Sequence, residues 1–363
     1  MGIRNFILLG ALAIVGCGRN AATDSTTIEV SPLPLAAVGT DYGKGVSALA
    51  AGDIDGMLVI AGGANFPATP AAEGGAKRFY DDIFTLKAGA AEWEAAGRLP
   101  QPVAYGATFA LDRRIIIAGG ANAGGSLSEV VSLELATDDT GNKVAISTLP
   151  SLPVPIEQAA AARNGEKLYI AGGLSNGEVS LGVYACNLAD GGEWRMVSEL
   201  PEPFVQPVAV VTDNYIYVWG GFDPTKKVAA DYGFRYDFAR DEWIRIEGLP
   251  DGGTAVGSTV VQDGNGMAWL TGGVNRDIFN TALNQPAEQS AEYLSQPVDY
   301  YNFRRAVYAF DLATESWLPA GECAAAARAG AALVQSSGKL VILNGEEKPG
   351  IRSAEINQIS IRN

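Results

Sequence analysis

A hydrophobic strand that runs into a pair of glycines recurs along the chain at roughly fifty-residue spacing. Two glycines in succession let the backbone turn sharply where a side chain would clash. Each strand can therefore end close to a common axis, which indicates a fold built from repeated units. The five copies are Ile60-Ala61-Gly62-Gly63, Ile117-Ala118-Gly119-Gly120, Ile170-Ala171-Gly172-Gly173, Val218-Trp219-Gly220-Gly221 and Leu270-Thr271-Gly272-Gly273.

A sixth repeat departs from this pattern, because its strand Leu340–Leu343 ends in Asn344-Gly345-Glu346. It puts a carboxylate where the other repeats have glycine or a neutral residue. The period is typical of the kelch repeat, in which each repeat folds into one blade of a β-propeller. Since six repeats use nearly the whole chain, the sequence predicts an all-β fold, a six-bladed kelch β-propeller, in a single domain spanning residues 27–363.

The last repeat is one strand short, since it starts at Ala329 and ends with the strand Ile356–Ile361. The segment Thr27–Pro34 has the pattern of an outer strand that ends in Leu-Pro, but it has no repeat of its own. We expect this N-terminal strand to join the C-terminal blade and close the ring, which removes exposed sheet edges. Four tryptophans lie on other outer strands before Pro-containing turns, and we expect them to pack between blades. They are Trp93, Trp194, Trp243 and Trp317.

The N-terminus has the features of an export signal. Residues Met1–Arg4 are basic, and the apolar run Phe6–Val15 is too short to span a bilayer. The run ends in Ile14-Val15-Gly16-Cys17, which is typical of a bacterial lipobox. We expect residues 1–16 to be a lipoprotein signal peptide and residues 17–26 a lipidated Cys17 with a flexible tether, giving a periplasmic or outer-membrane lipoprotein held by its lipid alone. The alternative is an ordinary cleaved signal with an incidental cysteine.

Histidine is absent from the 363 residues, and the formal net charge is −15. The absence excludes His-ligated zinc and copper and every Ser-His or Cys-His nucleophile, so any chemistry depends on carboxylates, Tyr, Lys, Arg and backbone groups. No metal site is therefore expected. Nucleic acid is not expected as a partner either, because sequence-independent binding needs clustered basic residues and no basic run exists. Cys186 and Cys323 fall in different repeats, where separate thiols are favoured over a disulfide.

Charged residues are densest in the segment NGEEKPGIR at 344–352. Pro349 and Gly350 favour a turn that would bring Lys348 and Arg352 back toward the carboxylates. This segment is either a functional site or a surface turn with incidental ion pairs.

Two connections that follow glycine pairs, 64–82 and 274–305, are too long for simple turns. Long ordered loops on a rigid scaffold usually serve binding, and the second favours a short helix near 287–294. The alternatives are a solvated decoration or a contact with a second copy of the chain, which would make a homodimer.

Five segments carry a more specific resemblance: NGEEKPGIR at 344–352, TGGVNRDIFN at 271–280, EYLSQPVDYYNF at 292–303, AGAALV at 329–334 and AYG at 104–106. With them the chain resembles the N-acetylneuraminate epimerases, or sialic acid mutarotases, and especially their cyclically permuted relatives with kelch repeats. The resemblance covers nearly all of the mature chain. In members with assigned roles the Asn-Gly-Glu-x-Lys-Pro-Gly motif lies mid-chain, and here it is C-terminal. A ring tolerates this rearrangement because its blades keep their neighbours.

The resemblance implies a mutarotase that interconverts the anomers of N-acetylneuraminate or a related sugar acid by proton transfer and ring opening, with no cofactor. It assigns the proton acceptor to Glu346, whereas Glu347 occupies a variable position. Arg352 is the candidate partner of the substrate carboxylate, and Asn275 is a candidate sugar contact. The other candidate substrate-binding residues are Lys348, Asn65, Tyr105 and Arg328.

Two positions depart from the family's pattern, since Val103 and Phe204-Val205 stand where proton-transferring members have arginines. Arg328, Arg276 and Arg78 are the candidates to replace that charge from other blades. The absence of these arginines weakens the case for sialic acid as the substrate more than it weakens the case for a mutarotase. The alternative function is a noncatalytic kelch propeller that binds carbohydrate or protein.

Overall fold

The computed structural model describes residues 27–138 and 141–362. Within these ranges six four-stranded antiparallel sheets form the blades, which confirms the predicted six-bladed all-β propeller. The first strands of neighbouring blades contact each other around the whole ring. In blade order the strands are Ala50–Ile54, Met57–Ala61, Asp82–Lys87 and Glu94–Arg98; Ala107–Leu111, Arg114–Ala118, Val130–Asp138 and Gly141–Leu149; Ala160–Asn164, Lys167–Ala171, Gly182–Asn187 and Arg195–Glu199; Val208–Val211, Tyr215–Trp219, Tyr232–Asp237 and Glu242–Glu247; Ser258–Gln262, Met267–Gly272, Ala306–Asp311 and Ser316–Glu322; Ala332–Ser336, Lys339–Leu343, Ile356–Arg362 and Thr27–Leu33.

The sixth blade contains strands from both ends of the chain. Its outer strand Thr27–Leu33 pairs with Ile356–Arg362, so that Thr27 lies opposite Arg362 and Leu33 opposite Ile356. The predicted closure of the ring by the N-terminal strand is therefore confirmed.

The hydrophobic core is divided into layers between neighbouring blades. In the second strand of blade 1, Leu58 and Ile60 pack against blade 6, whereas Val59 and Ala61 pack against blade 2. Both faces of such a strand are covered, so it is apolar at every position instead of alternating between apolar and polar. This explains the continuous hydrophobic runs that precede the glycine pairs.

The four outer-strand tryptophans pack between blades, as predicted. Trp93 donates a hydrogen bond of 2.8 Å to the carbonyl of Pro34, and Trp243 donates one of 3.0 Å to the hydroxyl of Ser198 in blade 3. The Trp194 ring lies 6.2 Å from Phe109 of blade 2, and the Trp317 ring lies 4.9 Å from Trp219 of blade 4.

A ring of left-handed backbone conformations surrounds the axis at the start of the first strands. The residue there has a φ of 56° at Ala48, 62° at Tyr105, 57° at Gln158 and 58° at Gln206, with glycines at the equivalent positions of blades 5 and 6. Backbone hydrogen bonds join several of these residues in sequence, including Tyr105 to Ala48 at 2.9 Å and Gln158 to Tyr105 at 3.0 Å. The ring fixes where each of these side chains starts relative to the axis.

The connections that follow the glycine pairs form the face of the propeller near the axis. In five blades they contain short hairpins, which are Ala64–Asn65 with Arg78–Phe79, Ala121–Asn122 with Gly125–Ser126, Leu174–Ser175 with Glu178–Val179, Phe222–Asp223 with Val228–Ala229, and Glu346–Lys348 with Ile351–Arg352. In blade 5 the connection holds the α-helices of the described chain, Arg276–Asn284, Ser290–Ser295 and Val298–Tyr301. The helix predicted near 287–294 is present, whereas the helix at 276–284 was not predicted. The 3-10 turns are Tyr42–Lys44, Ala71–Glu73, Leu188–Asp190, Ala287–Gln289 and Ala324–Ala326.

The two cysteines of the propeller are separate thiols, as expected. Cys186 lies between blades 2 and 3, and burial raises the pKa of its thiol to about 12. Burial also raises the pKa of the Cys323 thiol. Both thiols are therefore protonated at neutral pH and are poor nucleophiles.

The predicted signal peptide at 1–16, the lipidation site Cys17 and the tether through residue 26 lie outside the described residues. Across 27–138 and 141–362, no helix has both the length and the apolar character needed to cross a bilayer.

Removing the closing strand should open the ring. We expect a chain that begins at Pro34 to melt at least about 5 °C below one that begins at Thr27, because Ile356–Arg362 loses its partner strand and Ile28 no longer packs between blades 5 and 6. Retaining Pro34 preserves the carbonyl that accepts the Trp93 hydrogen bond. Thermal unfolding followed by circular dichroism tests this, and equal melting temperatures would contradict it.

Candidate active site

A cavity of about 700 Å³ lies on the axis and is lined by residues of all six blades. The walls along the first strands are mostly small, with alanines at positions such as 51, 110, 161 and 332. Polar groups line the cavity at both ends of the first strands, with Arg163 and Gln262 near the ends of two of them. Where the first strands begin, the polar lining residues include Ser47, Tyr105, Gln158, Gln206 and Glu346.

Glu346 is placed on the cavity wall by the altered glycine pair of blade 6. Its backbone N–H donates to the carbonyl of Ala329 at 2.7 Å, and it accepts a 3.0 Å hydrogen bond from the Ala329 N–H. In blades 1 to 4 the equivalent backbone bridge has a neutral residue at the position of Glu346. The carboxylate is therefore specific to this blade. The neutral counterparts of Glu346 are Ala64, Ala121, Leu174 and Phe222.

Arg352 lies opposite Glu346 in the same hairpin. Its Nη1 is 2.8 Å from Oε1 of Glu346, and its side chain is only 3% exposed. The guanidinium also donates from Nε to the Ala64 carbonyl at 3.2 Å and lies 5.4 Å from the Phe66 ring. The structure thus brings the predicted base and the predicted arginine together as a partly buried ion pair.

Two opposing effects act on the Glu346 carboxyl. Burial is the larger and raises its pKa above the usual value, because removal from water disfavours the charged form. The positive charges of Arg352 and Lys77 act in the opposite direction. The net effect is a raised pKa, and this makes the ionised carboxylate a stronger base than an exposed one.

Of the hydrogen-bonded pair Lys77 and Tyr105, only Tyr105 was identified from the sequence. Tyr105 was a candidate substrate-binding residue, and the structure places it on the cavity wall. Lys77, which belongs to the 64–82 connection, donates a 3.0 Å hydrogen bond from Nζ to the Tyr105 hydroxyl. The repeat pattern gives no signal for Lys77, because the residue stands in the loop between Ala64–Asn65 and Arg78–Phe79, which is much longer than the loops of the equivalent hairpins in other blades.

Gln158 and Gln206 form a second polar group on the ring that sequence reasoning missed. The Gln206 amide donates to Oε1 of Gln158 at 2.9 Å, and the Gln158 amide donates to Glu157 at 3.2 Å. Their shared position before the first strand of a blade, where Tyr105 also stands, was the available signal.

The connection at 274–305 covers part of the cavity. Phe279, Leu283, Tyr293 and Phe303 line the cavity from this segment. Burial raises the pKa of Tyr293, and the nearby Glu346 charge raises it further, so this phenol is neutral at physiological pH. The connection therefore supplies an apolar roof with a neutral hydroxyl near the carboxylate.

Lys348 and Asn275 support this cover. Lys348 donates from Nζ to the carbonyls of Leu294 and Gln296, at 3.3 Å and 2.6 Å. The Asn275 side chain caps the helix Arg276–Asn284 by accepting from the Asp277 and Ile278 N–H groups. Both side chains thus have partners within the protein, and their contact with a sugar stays a prediction.

Asn65 and Arg328 are also engaged inside the protein. Asn65 is 2% exposed, donates to the carbonyls of Asp41 and Gly45, and accepts from the Tyr80 hydroxyl. Arg328 is buried and pairs with Glu355 at 2.6 Å. Substrate contact by these two residues likewise stays a prediction.

Two further arginines were candidates to replace the charge of the family's missing arginines. Both form ion pairs with residues that do not line the cavity. Arg276 lies 2.9 Å from Asp231, and Arg78 lies 3.0 Å from Asp41. Val103, which stands at one of those positions, is buried. Among the described residues, no three acidic or cysteine side chains are grouped as a metal-binding cluster.

The solved structure titled "Structure of YjhT" has a similar fold. Its TM-score is 0.61 at 13% identity, and the alignment covers 92% of this chain and all of that one. At this identity the likeness concerns the propeller fold alone.

Sequence comparison gives closer relatives. The N-acetylneuraminate epimerase of Pasteurella multocida strain Pm70 is 31% identical over 218 residues, which is 56% of each chain. That of Escherichia coli strain K12 is 30% identical over 229 residues, 59% of this chain and 60% of the relative. The alignments thus span less than two thirds of these curated relatives. A sequence model of the family described as N-acetylneuraminate epimerase matches residues 19–146 and 149–363. Because that match covers nearly the whole chain, the protein belongs to the N-acetylneuraminate epimerase family.

Proposed function

We propose that this chain is an isomerase that interconverts the α and β anomers of N-acetylneuraminate or a related sugar acid, with Glu346 as the base. The observation that carries the proposal is the position of the Glu346 carboxylate. It lines the axial cavity at a place where blades 1 to 4 have neutral residues, and it is paired with the buried Arg352. The names of the family and of the relatives supply the substrate class.

The chemistry needs one group to accept a proton and a second to donate one. Glu346 would take the proton of the anomeric hydroxyl, and the oxygen lone pair would form the keto group as the bond from the anomeric carbon to the ring oxygen breaks. The ring oxygen gains a proton, which gives the open-chain sugar. Reclosure on the other face of the keto group reverses these transfers and yields the other anomer.

The cavity suits a single sugar of this kind. Its volume of about 700 Å³ lies within the range of small-molecule sites. The cations Arg352 and Lys77 stand out against a net charge of −15, so they would draw an anionic sugar toward this end of the axis. Apolar residues of the 274–305 connection would shield the exchanging protons from bulk water.

We also propose that the protein is exported and lipid-anchored. The basic start, the short apolar run and Cys17 support this part of the proposal. Labelling with a radioactive fatty acid, compared between the parent chain and Cys17→Ser, would test it.

Replacing the base should abolish catalysis while leaving binding in place. We expect Glu346→Gln to lose about 10²- to 10⁴-fold of the catalysed rate, because the amide cannot accept the anomeric proton. Proton NMR of freshly released α-N-acetylneuraminate, with and without enzyme, gives the rate of anomer equilibration.

Glu347→Gln is the matched control, since Glu347 lies 3.9 Å from Arg328 and does not line the cavity. This variant should equilibrate the anomers at the parent rate. If Glu346→Gln retained the parent rate and still bound the sugar, the protein would be a noncatalytic binder.

Replacing Arg352 should shift the acid side of the profile of catalysed rate against pH. Glu346 must be ionised to act, so the catalysed rate rises as pH increases through its pKa. Arg352 lowers that pKa, so Arg352→Gln should move the midpoint of the acid limb to higher pH. Arg78→Gln is the control, since Arg78 pairs with Asp41. A midpoint that stays in place or falls in Arg352→Gln would contradict the assignment of this limb to Glu346.

A further inference from the structure

The proposed reaction leaves one role unfilled, because a donor must protonate the ring oxygen as it leaves the anomeric carbon. Glu346 acts on the anomeric hydroxyl, and Arg352 is committed to Glu346 and the Ala64 carbonyl. The donor must therefore come from another part of the wall. Tyr105 is a polar lining residue contributed by blade 2, whereas Glu346 belongs to blade 6.

The hydrogen bond between Lys77 and Tyr105 has a fixed direction. An ammonium group has only donors, so the Tyr105 oxygen accepts from Nζ at 3.0 Å. The hydroxyl hydrogen of Tyr105 is then free to point elsewhere, and Tyr105 is one of the residues that line the cavity. Lys77 thus holds the Tyr105 oxygen and leaves its proton available for donation.

The backbone of Tyr105 is held in an unusual conformation. Its φ of 62° is left-handed, a region that large side chains rarely adopt, and the equivalent positions in blades 5 and 6 are the glycines Gly257 and Gly330. Hydrogen bonds to Ala48 and Gln158 hold the residue there on both sides. Since every blade has this conformation at the equivalent residue, the ring itself fixes where the Tyr105 side chain starts relative to the axis.

Lys77 is exposed and lies between aromatic rings. Its Nζ lies 5.1 Å from the centre of the Tyr105 ring and 5.8 Å from that of Phe66. The Arg352 guanidinium lies 5.4 Å from the same Phe66 ring, so both cations contact one aromatic side chain. This arrangement places the Lys77–Tyr105 pair next to the Glu346–Arg352 pair without joining them.

We propose that Tyr105 is the general acid of the site and that Lys77 is its positioning residue. The inference rests on the proposed mutarotase function. In ring opening, Glu346 takes the proton of the anomeric hydroxyl, the keto C=O forms, the bond to the ring oxygen breaks, and that oxygen takes the Tyr105 proton. Lys77 keeps its hydrogen bond to the Tyr105 oxygen and so holds it in place throughout. In reclosure the sugar hydroxyl returns a proton to Tyr105 as it attacks the keto carbon, and Glu346 returns its proton to the new anomeric oxygen.

A double-mutant cycle at Tyr105 and Lys77 tests this proposal. We expect Tyr105→Phe to lower kcat about 100-fold with KM changed by less than about twofold, because only the proton is lost. We expect Lys77→Met to lower kcat about 10-fold, and Lys77→Arg to restore part of that loss. The double variant should have the same kcat as Tyr105→Phe alone, because Lys77 acts only through the Tyr105 hydroxyl.

Tyr300→Phe is the matched control, since Tyr300 is 42% exposed and does not line the cavity. It should leave kcat and KM unchanged, and equal melting temperatures would show that all variants are folded. The proposal would be overturned if Tyr105→Phe raised KM without lowering kcat, or if the kcat losses at the two positions multiplied. Inactivity of the parent chain would reject the mutarotase function itself, whereas an active parent, an inactive Glu346→Gln and a fully active Tyr105→Phe would reject only the role of Tyr105.

Discussion

In blades 1, 2, 3, 5 and 6 a backbone hydrogen bond crosses to the next blade and ties the two together near the axis. In blade 1 the Gly63 N–H donates to the Val103 carbonyl of the following segment at 2.7 Å. A Cβ at Gly62 would stand 2.3 Å from the same carbonyl oxygen, so a side chain there would force the neighbouring blade away. The contact recurs at Gly120, Gly173 and Gly273. The glycine pair is thus repeated because neighbouring blades contact each other there. The width of the axial cavity depends on this contact.

Blade 6 keeps this interface while changing its first residue. Gly345 donates to the Val46 carbonyl at 2.9 Å, and Asn344 takes the left-handed position with a φ of 55°. Asparagine adopts this conformation more readily than other side chains, so the turn survives the loss of one glycine. Glu346 follows Gly345 and takes the position that the neutral residues after the glycine pairs occupy in blades 1 to 4. The candidate base is carried by an unchanged structural element, and its position is as well defined as the ring itself.

The fold was predictable because its signals repeat, whereas parts of the site depend on single residues in irregular segments. Six strand-and-turn repeats and an unmatched outer strand at Thr27–Pro34 suffice to infer a closed ring. Glu346 stood out because it breaks a periodic pattern, and Arg352 followed from the turn at Pro349-Gly350. Lys77 does not interrupt the repeat pattern. Its place beside Tyr105 results from the path of the long 64–82 connection in blade 1. Asn275 shows the opposite problem, because an asparagine before a helix suits a cap as well as a ligand contact, and the predicted helix near 287–294 did not extend to 276–284.

The pairing of the two chain ends in one sheet has a consequence for the order of assembly. Among the strands of the propeller, Thr27–Leu33 is synthesised before all others and Ile356–Arg362 after all others, yet they lie side by side in the blade that carries Glu346. Contacts between residues so distant in sequence form late, because a long loop must close before they gain any stability. Five blades can form during translation with one side uncovered, but the sixth blade is complete only once Ile356–Arg362 has been synthesised. Nascent fragments that lack this strand therefore contain most of the scaffold without the completed blade around Glu346.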